Sequence, residues 1–370
     1  MIVKEIGFPV IHNFPGDIRE FTPALFKYLN KFKHLNLFLE KGYGERLGFT
    51  KEDYIKENSR IKFVPLDEVY KKDMLVSIKN PDLENLEKLK ENSSLFTMIH
   101  YDTRPKMVQL IKRKGIKSFS MDSVVDDYGL RMFVDYYGTA YGGCEIAFDV
   151  LKETMPDFYS KDREPLIVSI LGAGGVAQGC IKSVEVLGDR EFLGKGIPGV
   201  IGQALTRTIT NDEKILKEIL KKTNILIDAT KRPDYSKHII RNEILGYLPE
   251  NAVILDLSAD RYDTSVDPPL VRALEGTVRG TPAHKIIYPD DELYDELPDF
   301  VDKTNRRITV SCDAWPSVNP KKSLAYYENM IRDYFNVLLT KDLDDINEES
   351  DNIFERALYR STIEYFLNKK

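Results

Sequence analysis

The chain has 370 residues, 42% of them hydrophobic and 30% charged, and a formal net charge of −6. That length and balance predict a folded globular protein of two or three domains. The mildly acidic, mixed charge gives no basic patch for nucleic acid, and no apolar run reaches the roughly 18 residues that span a bilayer. Cys144, Cys180 and Cys312 make no CxxC spacing, so neither a disulfide framework nor a metal site is predicted. We expect a cytoplasmic protein with no nucleic-acid or membrane partner.

The first third of the chain alternates short apolar runs with amphipathic segments. We predict strands over Ile2–Phe8, Leu35–Leu39, Ile61–Val64, Met74–Ile78, Leu95–Ile99 and Ser118–Met121. Apolar residues at three- and four-residue spacing predict helices over Pro23–Phe32, Leu83–Lys90 and Lys106–Lys114. Strands that alternate with helices form βαβ units, so this part of the chain is expected to fold as a mostly parallel sheet.

A second series of strands and helices follows a predicted helix over 140–153. Between them, the polar segment 155–165 contains two prolines and no periodicity, which is typical of an exposed connector between domains. Later strands are predicted over Leu166–Leu171, Ile197–Leu205, Asn224–Asp228, Ala252–Asp256 and Arg307–Ser311. The tail 321–370 has a helical pattern with a charged break near 341–351.

A glycine-rich turn comes directly after the first strand of this second series. The run from Gly172 to Ala177 is a GxGxxA pattern between a strand and a predicted helix over Val176–Leu187. The first glycine allows the tight turn, the second lets the backbone approach a pyrophosphate, and the small alanine lets helix and strand pack closely. The helix N-terminus adds N–H groups that favour phosphates. We predict cofactor contacts from Gly172, Ala173, Gly174, Gly175, Val176 and Ala177.

The choice between NAD and NADP stays open at the sequence level. NAD-binding folds usually carry an acidic residue at the end of the second strand, about 20 residues after the glycines. Here the predicted strand ends in Thr206-Arg207-Thr208 instead. Arg207 would suit a 2′-phosphate, and an arginine in a solvated loop is an equally good interpretation. We therefore predict NAD or NADP, with Thr206 and Arg207 among the binding residues.

Two residues suited to catalysis follow neighbouring strands of the first series. Lys79 follows Met74–Ile78, and His100 follows Leu95–Ile99. Both are expected at the carboxyl ends of parallel strands, where open α/β sheets bind their ligands. A lysine there can bind a carboxylate or polarise a carbonyl, and a histidine can move a proton near neutral pH. Together with a dinucleotide domain, they indicate a dehydrogenase for a small carboxylate substrate.

These two residues also lie in motifs that resemble a known family. The segments 78–81 (Ile-Lys-Asn-Pro) and 95–100 (Leu-Phe-Thr-Met-Ile-His) resemble the lysine and histidine motifs shared by alanine dehydrogenase and lysine-forming saccharopine dehydrogenase. The segments 5–9 and 40–44 resemble this family as well, and the resemblance runs in order over most of residues 1–340. It implies catalytic roles for Lys79 and His100. The segment Asp256-Leu-Ser-Ala-Asp260 resembles the family's stretch beside the nicotinamide, which implies cofactor contacts from Asp256 and Ser258 and a catalytic Asp260.

Two features resemble saccharopine dehydrogenase more than alanine dehydrogenase. The segment that begins Cys312-Asp313-Ala-Trp-Pro resembles the Asp-x-x-Pro-Ser segment of saccharopine dehydrogenase and carboxyethyl-ornithine synthase, which implies that Asp313 organises the substrate site. Asp122 and Arg131 resemble the acidic residue and arginine that hold its diamino substrate. A solvated acidic turn is an equally good interpretation of Asp122.

One residue departs from the family pattern. The arginine that binds substrate carboxylate in this family falls on Ile18 here, and Arg19 is one residue further on. We assign Arg19 to substrate binding with that departure noted.

The predicted protein is thus an α/β oxidoreductase with two Rossmann-like domains. Residues 1–140 and 321–370 form a discontinuous substrate domain, and 141–320 form a doubly wound parallel sheet that binds NAD(P). The predicted reaction is on the C–N bond of an amino acid, as in saccharopine dehydrogenase: reductive condensation of an amine with a 2-oxo acid, or the reverse. The alternatives are alanine-dehydrogenase-like deamination of a small amino acid and a non-catalytic nucleotide-binding regulator. The chain is predicted to act as a monomer or homo-oligomer.

Overall fold

The computed structural model describes residues 1–11, 15–258 and 260–369. The chain divides into two compact units, the first made of residues 1–135 and 319–370 and the second of residues 136–318. The polar segment 155–165, which the sequence indicated as a connector, lies inside the second unit. No described helix is long and apolar enough to cross a membrane.

The first unit is built on a six-stranded parallel sheet. Its strands are β1 (Glu5–Phe8), β2 (Asn36–Glu40), β3 (Ile61–Val64), β4 (Met74–Lys79), β5 (Ser94–Met98) and β6 (Lys117–Ser120). The helices between them are α1 (Pro23–Leu29), α2 (Lys51–Glu57), α3 (Leu66–Val69), α4 (Leu83–Leu86) and α5 (Pro105–Arg113). The strand order is β3-β2-β1-β4-β5-β6, so the order reverses between β1 and β4. Open α/β sheets bind ligands outside the carboxyl ends of their strands at such a reversal.

The second unit is built on another six-stranded sheet. Its strands are β7 (Leu166–Leu171), β8 (Val200–Leu205), β9 (Ile225–Asp228), β10 (Val253–Asp256), β11 (Ile286–Ile287) and β12 (Ile308–Ser311). Its helices are α6 (Tyr136–Thr154), α7 (Gly175–Phe192), α8 (Arg207–Thr210), α9 (Glu213–Leu220) and α10 (Asn242–Leu245). The order is β11-β12-β10-β9-β7-β8, with only β11 antiparallel to its neighbour, and it reverses between β7 and β9.

The C-terminal helices return to the first unit. They are α11 (Pro320–Leu338), α12 (Ile353–Arg360) and α13 (Ile363–Asn368). Leu324, Ile331 and Phe335 on α11 are buried in the same core cluster as Ile6 of β1 and Phe96 of β5. The tail thus completes the hydrophobic core of the sheet that begins the chain, which makes the first unit discontinuous in sequence.

Both sheets are buried on their two faces. In β4, Met74, Val76 and Ile78 belong to one core cluster while Leu75 belongs to another. In β9, likewise, Ile225 and Ile227 belong to one core cluster and Leu226 belongs to another. Because successive side chains of a strand point to opposite faces, helices cover both faces of each sheet. The predicted fold class, α/β with two Rossmann-like domains, is confirmed.

Candidate functional site

In the first unit, the predicted residues Lys79 and His100 lie at the carboxyl edge of the sheet. Lys79 is the last residue of β4, and His100 lies two residues after β5. Asp122 lies in the short 3₁₀ helix Met121–Ser123 that follows β6. These neighbouring parallel strands therefore deliver a lysine, a histidine and a carboxylate to one edge of the first unit.

A buried carboxylate joins Lys79 to Arg19. The Asp17 side chain is fully buried, with Oδ2 3.1 Å from the Lys79 ammonium nitrogen and Oδ1 accepting a 2.6 Å hydrogen bond from Arg19 Nε. Arg19 is 6% exposed and Lys79 is 14% exposed. Although Arg19 is one residue away from the position that the resemblance implies, it lies in the same charged cluster as Lys79. Sequence reasoning missed Asp17.

A second ion pair holds the loop that carries Asp17 and Arg19. Arg46 forms a two-pronged contact with the buried Glu20 carboxylate, at 3.0 Å from Nε and 2.7 Å from the terminal nitrogen. The same guanidinium donates to the backbone carbonyl of Asp17 at 2.7 Å. Both nitrogens donate to the same oxygen, Oε1, and these charge-assisted hydrogen bonds tie the loop to the short 3₁₀ helix Glu45–Leu47 that follows β2.

His100 is paired with Asp122. Its Nδ1 lies 3.3 Å from Asp122 Oδ2, and its backbone N–H donates to Oδ1 at 3.1 Å. Ser120 Oγ also donates to Oδ1, at 2.7 Å. Burial alone would raise the pKa of Asp122, but the charge and hydrogen bonds of His100, with smaller effects from Ser120 and Arg131, hold that pKa well below its usual range. The carboxylate therefore stays ionised beside the imidazole, which is 44% exposed.

The His100 backbone has an unusual conformation. Its φ of 56° and ψ of 57° place it in the left-handed region, which residues other than glycine rarely adopt. Such conformations persist where the surroundings fix them, and they are frequent at functional sites. Here the hydrogen bond from the His100 N–H to Asp122 is one of the fixing contacts.

Arg131 belongs to a hairpin-like segment near this pair. An antiparallel bridge joins Val125 to Arg131, and the Arg131 charge contributes to the low pKa of Asp122. The tip of the segment is fixed to the C-terminal region, where Asp127 contacts Arg356 at 2.6 Å and Arg360 at 2.8 Å. The structure thus brings Asp122 and Arg131 into one electrostatic neighbourhood with His100.

In the second unit, the glycine-rich turn lies between β7 and α7. Gly172 has a φ of +103°, and a Cβ there would lie 3.0 Å from the Ala229 carbonyl oxygen. A Cβ on Gly174 would meet no described atom within 4 Å, whereas one on Gly175 would lie 2.6 Å from the Tyr136 ring. Gly172 and Gly175 are therefore required by the fold itself. The open space at Gly174 fits the close approach of a pyrophosphate, since no protein contact requires a glycine there.

The rest of the turn has the expected burial. Ala173 is exposed, Val176 is half-buried and Ala177 is 1% exposed within the core cluster of β7. The α7 helix begins at Gly175, so its first N–H groups have no partner within the helix and point out of its N-terminal end. This end of the second unit is therefore suited to hold phosphates.

Two buried aspartates end the central strands of the second sheet. Asp228 of β9 and Asp256 of β10 are register partners, and both are fully buried. The Ser258 backbone N–H and hydroxyl donate to the Asp256 carboxylate at 2.8 and 2.7 Å. The same carboxylate forms an ion pair with Arg272. Burial, and then the charge of Asp256, raise the pKa of Asp228 to about 7. Asp256 and Ser258 thus lie inside a buried network, which also contains Asp228 and Arg272, two residues that the sequence did not indicate.

Two further predicted residues of the second unit, Asp260 and Asp313, also contact arginines. Arg232 donates to Asp260 Oδ2 at 2.6 Å, and burial raises the pKa of Asp260 while the Arg232 charge opposes that rise. Asp313 contacts Arg279. Thr206 and Arg207 lie apart from this network, exposed at the end of β8.

Comparisons with known proteins agree with this architecture. Residues 20–135 match the model of the alanine dehydrogenase/PNT N-terminal domain. An alanine dehydrogenase from Methanococcus maripaludis is 21% identical over an alignment of 245 positions, which covers 61% of this chain. The match covers 64% of that relative, somewhat less than two thirds of its length.

Two solved structures share the fold. An L-alanine dehydrogenase structure superposes with a TM-score of 0.68 at 14% identity, over 97% of this chain and 94% of that one. A transhydrogenase from Sinorhizobium meliloti gives 0.64 at 12% identity, over 97% of both chains. At these identities the likeness establishes the fold. The sequence relative and the first of these structures are alanine dehydrogenases and the second structure is a transhydrogenase, so the comparisons do not support the predicted closeness to saccharopine dehydrogenase.

Proposed function

We propose that the chain is an NAD(P)-dependent amino-acid dehydrogenase that oxidatively deaminates a small amino acid, as alanine dehydrogenases do. The observation that carries the proposal is the placement of Lys79 and His100 at neighbouring strand ends, with the buried Asp17 beside Lys79 and the 11% exposed Asp122 beside His100. Both residues lie within the part of the chain that matches the alanine dehydrogenase/PNT N-terminal domain. The predicted alternative is thus preferred over the predicted main function.

In this proposal, Lys79 and Arg19 recognise the substrate carboxylate. Both are cations on a mostly buried edge of the sheet, where lower dielectric strengthens the attraction to an anion. Asp17 balances one of the two positive charges and fixes the distance between the two side chains. One net positive charge then remains to pair with one carboxylate.

His100 is the proposed general acid/base. With Nδ1 directed at the ionised Asp122, the imidazole keeps Nδ1 protonated and leaves Nε2 to exchange a proton. At 44% exposure the ring is accessible to substrate and to solvent protons. His100 would accept the proton that is released when water adds to the imine carbon, and Lys79 would polarise the developing carbonyl oxygen.

The second unit would hold the dinucleotide. Gly174 and the N-terminal end of α7 would face the pyrophosphate, while Thr206 and Arg207 lie where the second strand ends. The nicotinamide, when bound, supplies the hydride acceptor. Asp256 and Ser258 would stabilise this end of the sheet through their hydrogen bonds and the ion pair with Arg272. Asp260 keeps its proposed catalytic role, and Asp313 its proposed role in substrate binding.

Saccharopine-dehydrogenase-like condensation is the second candidate, on the observation that Asp122 and Arg131 lie close enough for Arg131 to influence the pKa of Asp122. In that function, Asp122 would bind the second amine of a diamino substrate. However, Oδ1 already accepts from Ser120 and from the His100 backbone, and Oδ2 faces the imidazole. Because the carboxylate is committed to positioning His100, the geometry favours the smaller substrate.

A screen of substrates tests the proposal. The purified chain is incubated with NAD⁺ or NADP⁺ and a panel of small and basic amino acids, and the absorbance of reduced nicotinamide is followed. We expect reduction with a small amino acid and release of one ammonia per cofactor reduced, with His100→Ala as the inactive control. Release of a second amino acid from saccharopine-type substrates would instead support the second candidate. Dinucleotide binding without turnover on any substrate would support a regulatory protein.

A further inference from the structure

The end of β8 lies directly beside the glycine-rich turn. The register pairs Leu205 of β8 with Leu171 of β7, and the Gly172 N–H donates to the Leu205 carbonyl at 3.1 Å. The next three residues, Thr206, Arg207 and Thr208, therefore begin at the turn that we propose for the pyrophosphate. In a Rossmann fold this is where the adenosine ribose is recognised, and the group present there sets the preference for a 2′-hydroxyl or a 2′-phosphate.

The chemistry at this position favours a phosphate. All three side chains are exposed, and the Thr206 and Thr208 hydroxyl oxygens lie 2.9 Å apart. No acidic residue occurs from 200 to 211, so the carboxylate that would accept hydrogen bonds from a ribose 2′-OH is missing. Among the residues that the structure describes, Arg207 has no carboxylate partner.

The next acidic residues along the chain, Asp212 and Glu213, already form other hydrogen bonds and ion pairs. Asp212 caps α9 by accepting from the Ile215 N–H at 3.1 Å, and Glu213 forms an ion pair with Lys217 at 2.5 Å. Asp212 therefore stabilises the start of α9, and Glu213 is shared between Lys217 on that helix and Arg241 at 4.0 Å. Arg207 is left as the cation at the strand end, with two hydroxyl groups beside it.

We propose that this strand end is a binding subsite for the 2′-phosphate of NADP, with Arg207 as the residue that determines specificity. The proposal rests on the proposed function only in assigning the dinucleotide to the second unit. The Arg207 guanidinium donates to the phosphate oxygens, and one of the two threonine hydroxyls, which share a hydrogen bond with each other, donates to the same group. NAD lacks that anion and leaves the guanidinium in water.

Calorimetric binding of NADP⁺ and NAD⁺ to the full chain tests the subsite without depending on turnover. The wild type should bind NADP⁺ more tightly, and Arg207→Ala should weaken NADP⁺ binding roughly 10- to 100-fold, as expected for loss of a hydrogen-bonded charge pair, with NAD⁺ binding unchanged. Arg207→Lys should recover part of the loss. Arg190→Ala is the matched control, because that exposed arginine lies on the last turn of α7, about 22 Å along the helix from the turn.

The outcomes separate the two proposals. If NAD⁺ binds as tightly as NADP⁺, or Arg207→Ala weakens both equally, the 2′-phosphate subsite is wrong while the dehydrogenase assignment stands. If neither dinucleotide binds the wild type, the proposed function itself is wrong. Tighter binding of adenosine 2′,5′-bisphosphate than of 5′-AMP, lost in Arg207→Ala, would support the subsite independently of the nicotinamide.

Discussion

The buried carboxyl of Asp228 should make the stability of the second unit depend on pH, and Asp228→Asn should remove that dependence. Asp228 is fully buried, with Oδ1 accepting from the Thr230 N–H at 3.0 Å and from its hydroxyl at 2.7 Å. Burial, reinforced by the charge of Asp256, raises its pKa from 3.8 to about 7. Asparagine keeps the shape and the acceptor oxygen of the neutral acid and cannot ionise.

The size of the effect follows from the pKa difference. The folded-state pKa lies above the unfolded one, so the folded protein holds an extra proton between about pH 4 and pH 7. The free energy of unfolding therefore falls as the pH rises through that window and is level above it. A difference of roughly three pKa units, at about 1.36 kcal/mol each, corresponds to about 4 kcal/mol over the whole window, of which roughly 3 kcal/mol lies above pH 5.

Urea unfolding of the wild type and Asp228→Asn at about pH 5 and about pH 8 measures this difference. We expect the variant to gain roughly 3 kcal/mol relative to the wild type between the two pH values. Asp302→Asn is the matched control, because Asp302 makes the same pair of contacts with Thr304 in an exposed turn. If the free energies of unfolding of the wild type and Asp228→Asn change equally between the two pH values, the prediction is wrong, because Asp228 is then ionised in the folded protein over that whole range.

Three further predictions concern the proposed substrate residues of the first unit and the proposed dinucleotide turn of the second. His100→Ala should lower kcat roughly 10²- to 10⁴-fold with dinucleotide affinity unchanged, and a wild-type rate would exclude His100 as the acid/base. Asp17→Asn should raise KM for the amino acid more than it lowers kcat, because the carboxylate that fixes the distance between Lys79 and Arg19 is lost. An unchanged KM in steady-state kinetics would mean that Asp17, Lys79 and Arg19 only stabilise the fold. Gly174→Val should abolish dinucleotide binding with little change in thermal stability, whereas Gly175→Val should destabilise the chain by colliding with the Tyr136 ring, and calorimetry distinguishes the two.

Much of the fold could be predicted because apolar periodicity reports burial directly. The strands Ile61–Val64 and Leu166–Leu171 have the predicted bounds, since each is an apolar run between polar turns. The two-residue strand β11 was not predicted, because so short a segment shows no periodicity. The α6 helix begins at Tyr136 rather than at residue 140, directly after Asp135, a residue type that is common before helix starts and that the prediction passed over.

The proposed site was predictable only where chemistry follows a strand. Lys79 and His100 stand at predicted strand ends, and the glycine pattern marks its own turn. Asp17 and Arg272 gave no such signal, because their roles arise from contacts across the sheet: Asp17 with Lys79, which lies 62 positions away in the numbering, and Arg272 with Asp256. A buried ion pair between distant segments is a property of the tertiary fold, and no local pattern encodes it.

The proposed oxidative deamination is tested most directly by following the hydrogen on the substrate's α-carbon. The chain is incubated with alanine deuterated at Cα and, in parallel reactions, NAD⁺ and NADP⁺, and the reduced nicotinamide is examined by mass spectrometry while ammonia is measured. We expect deuterium on the reduced nicotinamide, one ammonia for each cofactor reduced, and initial rates of both products lowered roughly 10²- to 10⁴-fold in His100→Ala. Reduced cofactor without deuterium, or a wild-type initial rate in His100→Ala, would contradict the proposed reaction.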